Sequence, residues 1–221
     1  MRDFSFVDVG LLVQAARWTV LLSVIAFLGG GLLGGVVTWL RVSPHTPLRR
    51  FAQGYILLLQ GTPLLMQIFL VYFGLGLAGL DIPAVTSAAI AFTAYASAFL
   101  AEIWRGSIEA IPRPQWEGSA SLGLSRFEQM RWVIVPQALR LALPPTVGFM
   151  VQIVKNTSLA AIIGFTDLAR AGQLINNVTF QPFPVFGTVA AIYFVLCFPL
   201  SLVSGVLERR FHVGRQRPAR V

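Results

Sequence analysis

The chain has 221 residues, of which 56% are hydrophobic and only 12% charged. Ordinary globular proteins run at roughly 45–50% apolar and about 25% charged, so a water-covered surface is excluded and an integral membrane protein is implied. The net charge is +8, but only one of the 17 basic residues is Lys. The arginines sit between apolar runs and form no basic stripe, which excludes nucleic acid as a partner and indicates topology signals and contact with membrane lipid.

Gaps between charges locate the apolar runs. Thr19–Leu40 is bracketed by Arg17 and Arg41, and Phe51–Leu80 is longer than one crossing needs. Ile82–Ala101 follows, then Leu141–Thr166 with Lys155 inside it, then Phe183–Leu207. A crossing takes about 20 residues. Five transmembrane helices are therefore predicted, at about 15–40, 51–75, 82–104, 138–164 and 183–208, with loops at 74–80 and 167–182. Asp3 and Asp8 spoil the basic start of a signal peptide, so the first run is expected to stay as a span. Its glycines Gly30, Gly31, Gly34 and Gly35 form two overlapping GxxxG registers that allow close helix packing. Cys197 is the single cysteine, so an internal disulfide is excluded.

Thirteen arginines fall in 41–50, 102–140 and the tail after residue 208, against Arg2, Arg17 and Arg170 on the other side. The positive-inside rule predicts an outside N-terminus and a cytoplasmic C-terminus, as five spans require.

Residues 102–140 are the longest segment kept on one side. Pro114 suits a first helical turn, Glu117 suits a helix N-terminus, and Gly123 suits a left-handed stop. Ser125 and Glu128 have capping-box spacing for a second helix, which Pro136 should limit. Leu124, Phe127 and Ile134 are expected on one face of it. Such a cytoplasmic projection could lie on the membrane or dock a partner.

The stretch from Glu117 through Gly123 to Ser125 resembles the EAA loop of ABC importer permeases. Ala101-Glu-Ile-Trp-Arg-Gly106, Pro136-Gln-Ala-Leu-Arg140, Lys155-Asn-Thr-Ser158 and Gly61-Thr-Pro-Leu-Leu65 resemble the polar amino-acid permease family in particular. Gly118 and Ser119 replace the two alanines of the motif, Gln60 replaces an Arg, and Pro114 replaces a Gly. The resemblance implies an all-α, single-domain membrane subunit over 1–221, with a cytoplasmic coupling loop at about 106–136 between spans three and four. It implies a bacterial inner-membrane permease for polar amino acids that is not itself an enzyme and holds no cofactor. ATP and Mg belong to two copies of a partner ATPase, with a second permease chain, identical or homologous, and an extracytoplasmic amino-acid-binding protein. No Gly-rich phosphate loop followed by Lys and Ser or Thr occurs in this chain.

Glu117, Gly123, Leu124, Ser125 and Phe127 are the residues expected to couple to the ATPase. Candidates for the translocation pathway are Thr62, Glu102, Lys155, Asn156, Thr157 and Ser158. Two readings of Lys155 stay open: a cation facing the pathway, or a lysine that snorkels outward or pairs with Asp167. Thr62-Pro63 either exposes carbonyls to a polar route or makes a packing kink. Glu102 is expected to pair with Arg105. A secondary transporter is the alternative, with Lys155, Asp167 and Glu102 as ion-coupling groups, but no inverted repeat is evident.

Overall fold

The computed structural model describes residues 2–211. Among them the chain is helical throughout, with no strand. Arg215, Arg217 and Arg220, counted above among the tail arginines, lie outside the described residues.

Helix α1 spans Phe6–Arg41. It starts well before the predicted residue 15, because the Asp8 carboxylate accepts the Ser5 N–H at 2.9 Å and closes the first turn. Its early residues Leu12 and Ala16 bury against Leu168, Ala171 and Val189, so the added turns have a core to join.

The second predicted span is broken in two. Helix α2 (Thr46–Gly61) and helix α3 (Leu64–Leu77) meet at a bend of 100°. Pro63 offers no N–H and excludes the helical conformation from the residue before it, so Thr62 is extended at φ −115° and ψ 142°. Among the described residues four helices are long and apolar enough to cross a membrane, or five when the bent pair counts as one span.

Helix α4 (Ala84–Glu109) is the centre of the molecule and packs most extensively on α1. Gly30 makes this approach possible: a Cβ there would lie 2.4 Å from the Ala96 Cβ. Gly34 packs on Ser97 and Leu100 in the same way, whereas Gly31 and Gly35 look only onto the rim of Trp104. Of the two predicted registers, Gly30/Gly34 carries the close contact. The core around this seam holds Leu22, Ala26, Phe92, Leu100 and Ile153, with Phe149 stacked on Phe99 and Tyr95 at 5.4 and 6.2 Å and Tyr95 tilted on Phe99 at 4.5 Å.

After α4 comes the short helix α5 (Arg113–Ser121), then a one-turn α6 (Arg126–Glu128), a π-helical turn (Gln129–Ile134) and α7 (Val135–Asn156). These last three run without a break, so the second helix of the projection grows directly into the next span. Pro136 does not limit it, because it falls in the first turn of α7 beside the wide π-helical turn.

Helix α7 tightens into a 3₁₀ segment (Thr157–Ile163) that ends at Gly164 in the left-handed conformation, φ 83°. The expected outer loop at 167–182 is instead helix α8 (Leu168–Thr179). The Asp167 carboxylate accepts the Arg170 N–H at 3.0 Å, and Leu168, Ala171, Gly172 and Ile175 bury one face. Helix α9 (Pro182–Phe211) packs along α7. Ser204 Oγ donates to the Pro144 carbonyl at 2.9 Å, between two prolines in α7.

Candidate functional site

The projection at 106–136 is built from caps. Pro114 sits in the first turn of α5, where its missing N–H costs nothing. At the other end the Gly123 N–H donates to the Ala120 carbonyl at 2.9 Å and the Leu124 N–H to the Ser119 carbonyl at 3.4 Å. This double closure needs a left-handed residue, and Gly123 has φ +76°. The Glu128 carboxylate then accepts the Ser125 N–H at 2.8 Å. The Ser125 hydroxyl and N–H together hold the Glu128 carboxyl below its ordinary range.

Trp116 packs on Ile111, Ile134 and Ala138, and Gln137 Nε2 donates to Gln115 Oε1 at 3.2 Å, so α5 is fastened to the base of α7. The expected shared face of Leu124, Phe127 and Ile134 does not form. Ile134 is fully buried, whereas Phe127 is 70% exposed. Each residue of a π-helical turn rotates less than in an α-helix, so Ile134 turns away from Phe127. Leu122, 80% exposed, and Glu117 join Phe127 on the outside. Of the two motif departures, Gly118 faces open space. Ser119 is buried with its hydroxyl on the Trp116 carbonyl.

The pathway candidates divide into separate places, and among the described residues no hydrogen bond or ion pair joins Thr62, Glu102 and Lys155. Thr62 stands at the α2–α3 bend, its hydroxyl donating to the Leu58 carbonyl at 2.8 Å. Gln67 Nε2 donates to the Leu59 carbonyl at 2.7 Å, so two carbonyls freed by Pro63 are capped by side chains. Gln67 is buried, and among the described residues its Oε1 has no hydrogen-bond partner. Sequence reasoning missed it, although a lone amide four residues after Pro63 in an apolar run was a readable signal. Glu102 pairs with Arg105, which also holds Glu109.

Lys155, Asn156, Thr157 and Ser158 lie where α7 gives way to the 3₁₀ segment. Lys155 is exposed on the protomer, and among the described residues no carboxylate lies within ion-pair distance. Pairing with Asp167 is therefore not observed: that buried carboxylate caps α8 and accepts the Tyr193 hydroxyl at 3.2 Å. Asn156 lies beside the Tyr95 hydroxyl. Thr157 is fully buried with its hydroxyl on the Val154 carbonyl, and Ser158 Oγ returns to the Lys155 carbonyl. Glu102 follows Tyr95 by seven residues on α4, about 10 Å along the helix from the level of Asn156.

A buried polar junction was also missed. The Leu168 N–H donates to Thr19 Oγ1 at 3.2 Å, next to the Asp167–Tyr193 contact, which joins α1, α8 and α9. Only Asp167, as an N-cap preceding an apolar stripe, was open to detection from the sequence.

The comparisons with known proteins agree with this architecture. Residues 26–213 match the family described as binding-protein-dependent transport system inner membrane component. The probable amino-acid ABC transporter permease YckA of Bacillus subtilis is 33% identical, over 90% of this chain and 88% of its own. The glutamine transport system permease GlnP of Escherichia coli is 34% identical, over 92% and 94%. The L-cystine transport system permease TcyB of Bacillus subtilis is 34% identical, over 90% and 89%. Among solved structures, an amino acid ABC transporter crystallised with histidines superposes with TM-score 0.88 at 34% identity, over 95% of this chain and 100% of that one. The methionine transporter MetNI shares the fold, with TM-score 0.80 at 19% identity. In such systems a separate ATPase chain hydrolyses ATP. The chain belongs to the binding-protein-dependent inner membrane component family, as a multi-pass ABC importer permease subunit.

Proposed function

We propose that this permease carries polar amino acids inward, with the N-terminus outside and the C-terminus in the cytoplasm. The observation that carries this reading is the match over nearly the whole chain to a solved amino acid ABC transporter at 34% identity. The glutamine and L-cystine permeases among the relatives support the same substrate class. A second permease chain, identical or homologous, completes the pathway, because one protomer leaves Lys155 on its surface. Two ATPase copies, which hold ATP and Mg, dock on the projection at 106–136 through Glu117, Leu122 and Phe127. Gly123, Leu124 and Ser125 hold its shape, and an extracytoplasmic binding protein delivers the substrate. Lys155 is the one cation deep in an apolar run, and it offers a charge partner for the carboxylate of a passing amino acid.

The test is uptake by proteoliposomes containing the permease, its cognate ATPase and its binding protein. Glutamine, arginine, histidine and cystine are offered separately. Uptake of at least one that needs both internal ATP and the binding protein is expected. Uptake driven by an ion gradient without ATP would overturn the reading in favour of a secondary transporter.

A further inference from the structure

A cavity of about 1010 Å³ opens between the loop after α1, the start of α2, the end of α4 and the helix that begins at Arg126. Arg41, Arg49, Arg126 and Arg131 line it, and Glu109 is the only acid among the lining residues. Glu109 is already taken by Arg105. Among the described residues none of the four arginines has a carboxylate within ion-pair distance, and the Nε of Arg41 is buried without a hydrogen-bond partner. Four guanidinium groups without an ion-pair contact surround one concave opening, Glu102 reaching Arg41 only through longer-range charge attraction, and they make a site for an anion.

The opening does not end at the arginines. A second cavity of about 250 Å³ shares Trp39, Val42, Ile108, Met130 and Val135 with it. Past that shared wall the lining is almost entirely apolar, formed by Trp104, Leu139 and Ala142. The two cavities therefore adjoin along those five residues, a basic mouth beside an apolar floor that together make a furrow, and Trp39 at its edge is 68% exposed. A free inorganic anion would use only the mouth. A molecule with an anionic head and a hydrocarbon tail matches both parts.

We propose that this furrow binds an anionic phospholipid of the cytoplasmic leaflet, its phosphate on Arg41 and Arg49 and one acyl chain along Trp39, Trp104 and Leu139. The proposal rests on the N-terminus-outside topology given above, which puts the mouth at the inner membrane surface. Bound there, the lipid bridges the α1–α2 loop and the base of the projection.

The permease–ATPase complex, delipidated in detergent, is titrated with dioleoylphosphatidylglycerol, dioleoylphosphatidylcholine or glycerol phosphate, and binding is read by native mass spectrometry. Saturable binding of phosphatidylglycerol alone is expected. R41Q/R49Q should weaken it about 25-fold, since each interfacial arginine is worth roughly fivefold toward anionic lipid. R209Q/R210Q, the same charge loss outside the furrow, should leave it unchanged. Equal retention of both phospholipids, unchanged phosphatidylglycerol binding by R41Q/R49Q, or equal binding of glycerol phosphate would overturn the proposal. Loss of the ATPase from R41Q/R49Q with no change in lipid binding would assign the furrow to an ATPase segment instead. A measurement on the unaltered protein guards against a variant that fails to fold. Phosphatidylglycerol brominated on its chains should quench tryptophan fluorescence more than brominated phosphatidylcholine, and equal quenching overturns the proposal. Labelling of Ser43→Cys separates the two readings: labelling from outside defeats the topology, whereas cytoplasmic labelling without lipid preference defeats only the lipid site.

Discussion

At the scale of single residues, Lys155 and Asp167 illustrate opposite uses of a charge near the membrane. Among the described residues Lys155 has no acid within ion-pair distance, so a substrate carboxylate is a partner it lacks. Lys155→Met is expected to abolish uptake while complex abundance and basal ATP hydrolysis stay near normal. Lys155→Arg should keep part of the uptake, because charge survives while geometry changes. Normal uptake by the Met variant at normal abundance would remove Lys155 from the pathway. Asp167 is buried and structural. Burial pushes its carboxyl above the ordinary range, although the N–H of Arg170 opposes the shift. The folded chain then holds this proton more tightly than the unfolded chain. Its contribution to stability therefore falls as pH rises from the unfolded value through the raised folded one. Asp167→Asn should flatten that dependence above about pH 4, where the unfolded carboxyl has lost its proton. Asp167→Ala should cost about 1 kcal/mol for the lost cap. Thermal aggregation midpoints of the purified complex against pH check both.

At the scale of elements, two glycines are needed for different reasons. Gly30 is needed for space, since any side chain would run into Ala96. Gly30→Val should destabilise the α1–α4 seam by about 1–3 kcal/mol through overpacking, read as lower membrane abundance. Gly31→Val, on the looser register, should be milder. Gly123 has open space around it but a positive φ. Gly123→Val should strain the turn by at least about 1–2 kcal/mol, while the spans still assemble. With Glu117→Lys it is expected to lose transport through failed ATPase coupling. Co-purification of the ATPase, measured beside uptake, tests this, and native rates in both variants would contradict the docking role.

At the scale of the whole molecule, the arginine distribution predicts sidedness. Single cysteines placed at 112–122 should label only from the cytoplasm, and those at 76–80 only from outside. Reversed labelling would overturn the topology and the docking surface together.

Composition and the spacing of charges were enough to determine a helical membrane protein with its apolar runs in place, because burial in hydrocarbon is set by local composition. Local caps were equally legible: Gly123, Ser125 and Glu128 act within a few residues of themselves. The tertiary structure decided what depends on distant neighbours. Which GxxxG register is used depends on where Ala96 stands on α4. The fate of Ile134 depends on a π-helical turn that no periodicity announces. Thr62-Pro63 could be read as a weak point, but the size of the bend, 100°, goes with the seating of α3 against α4, a distant neighbour. Helix α8 carried its own cap and apolar stripe, yet its burial against α1 and α9 is what made it a structured element and took Asp167 away from Lys155. Charges of one chain find partners across space, and sequence order does not record which.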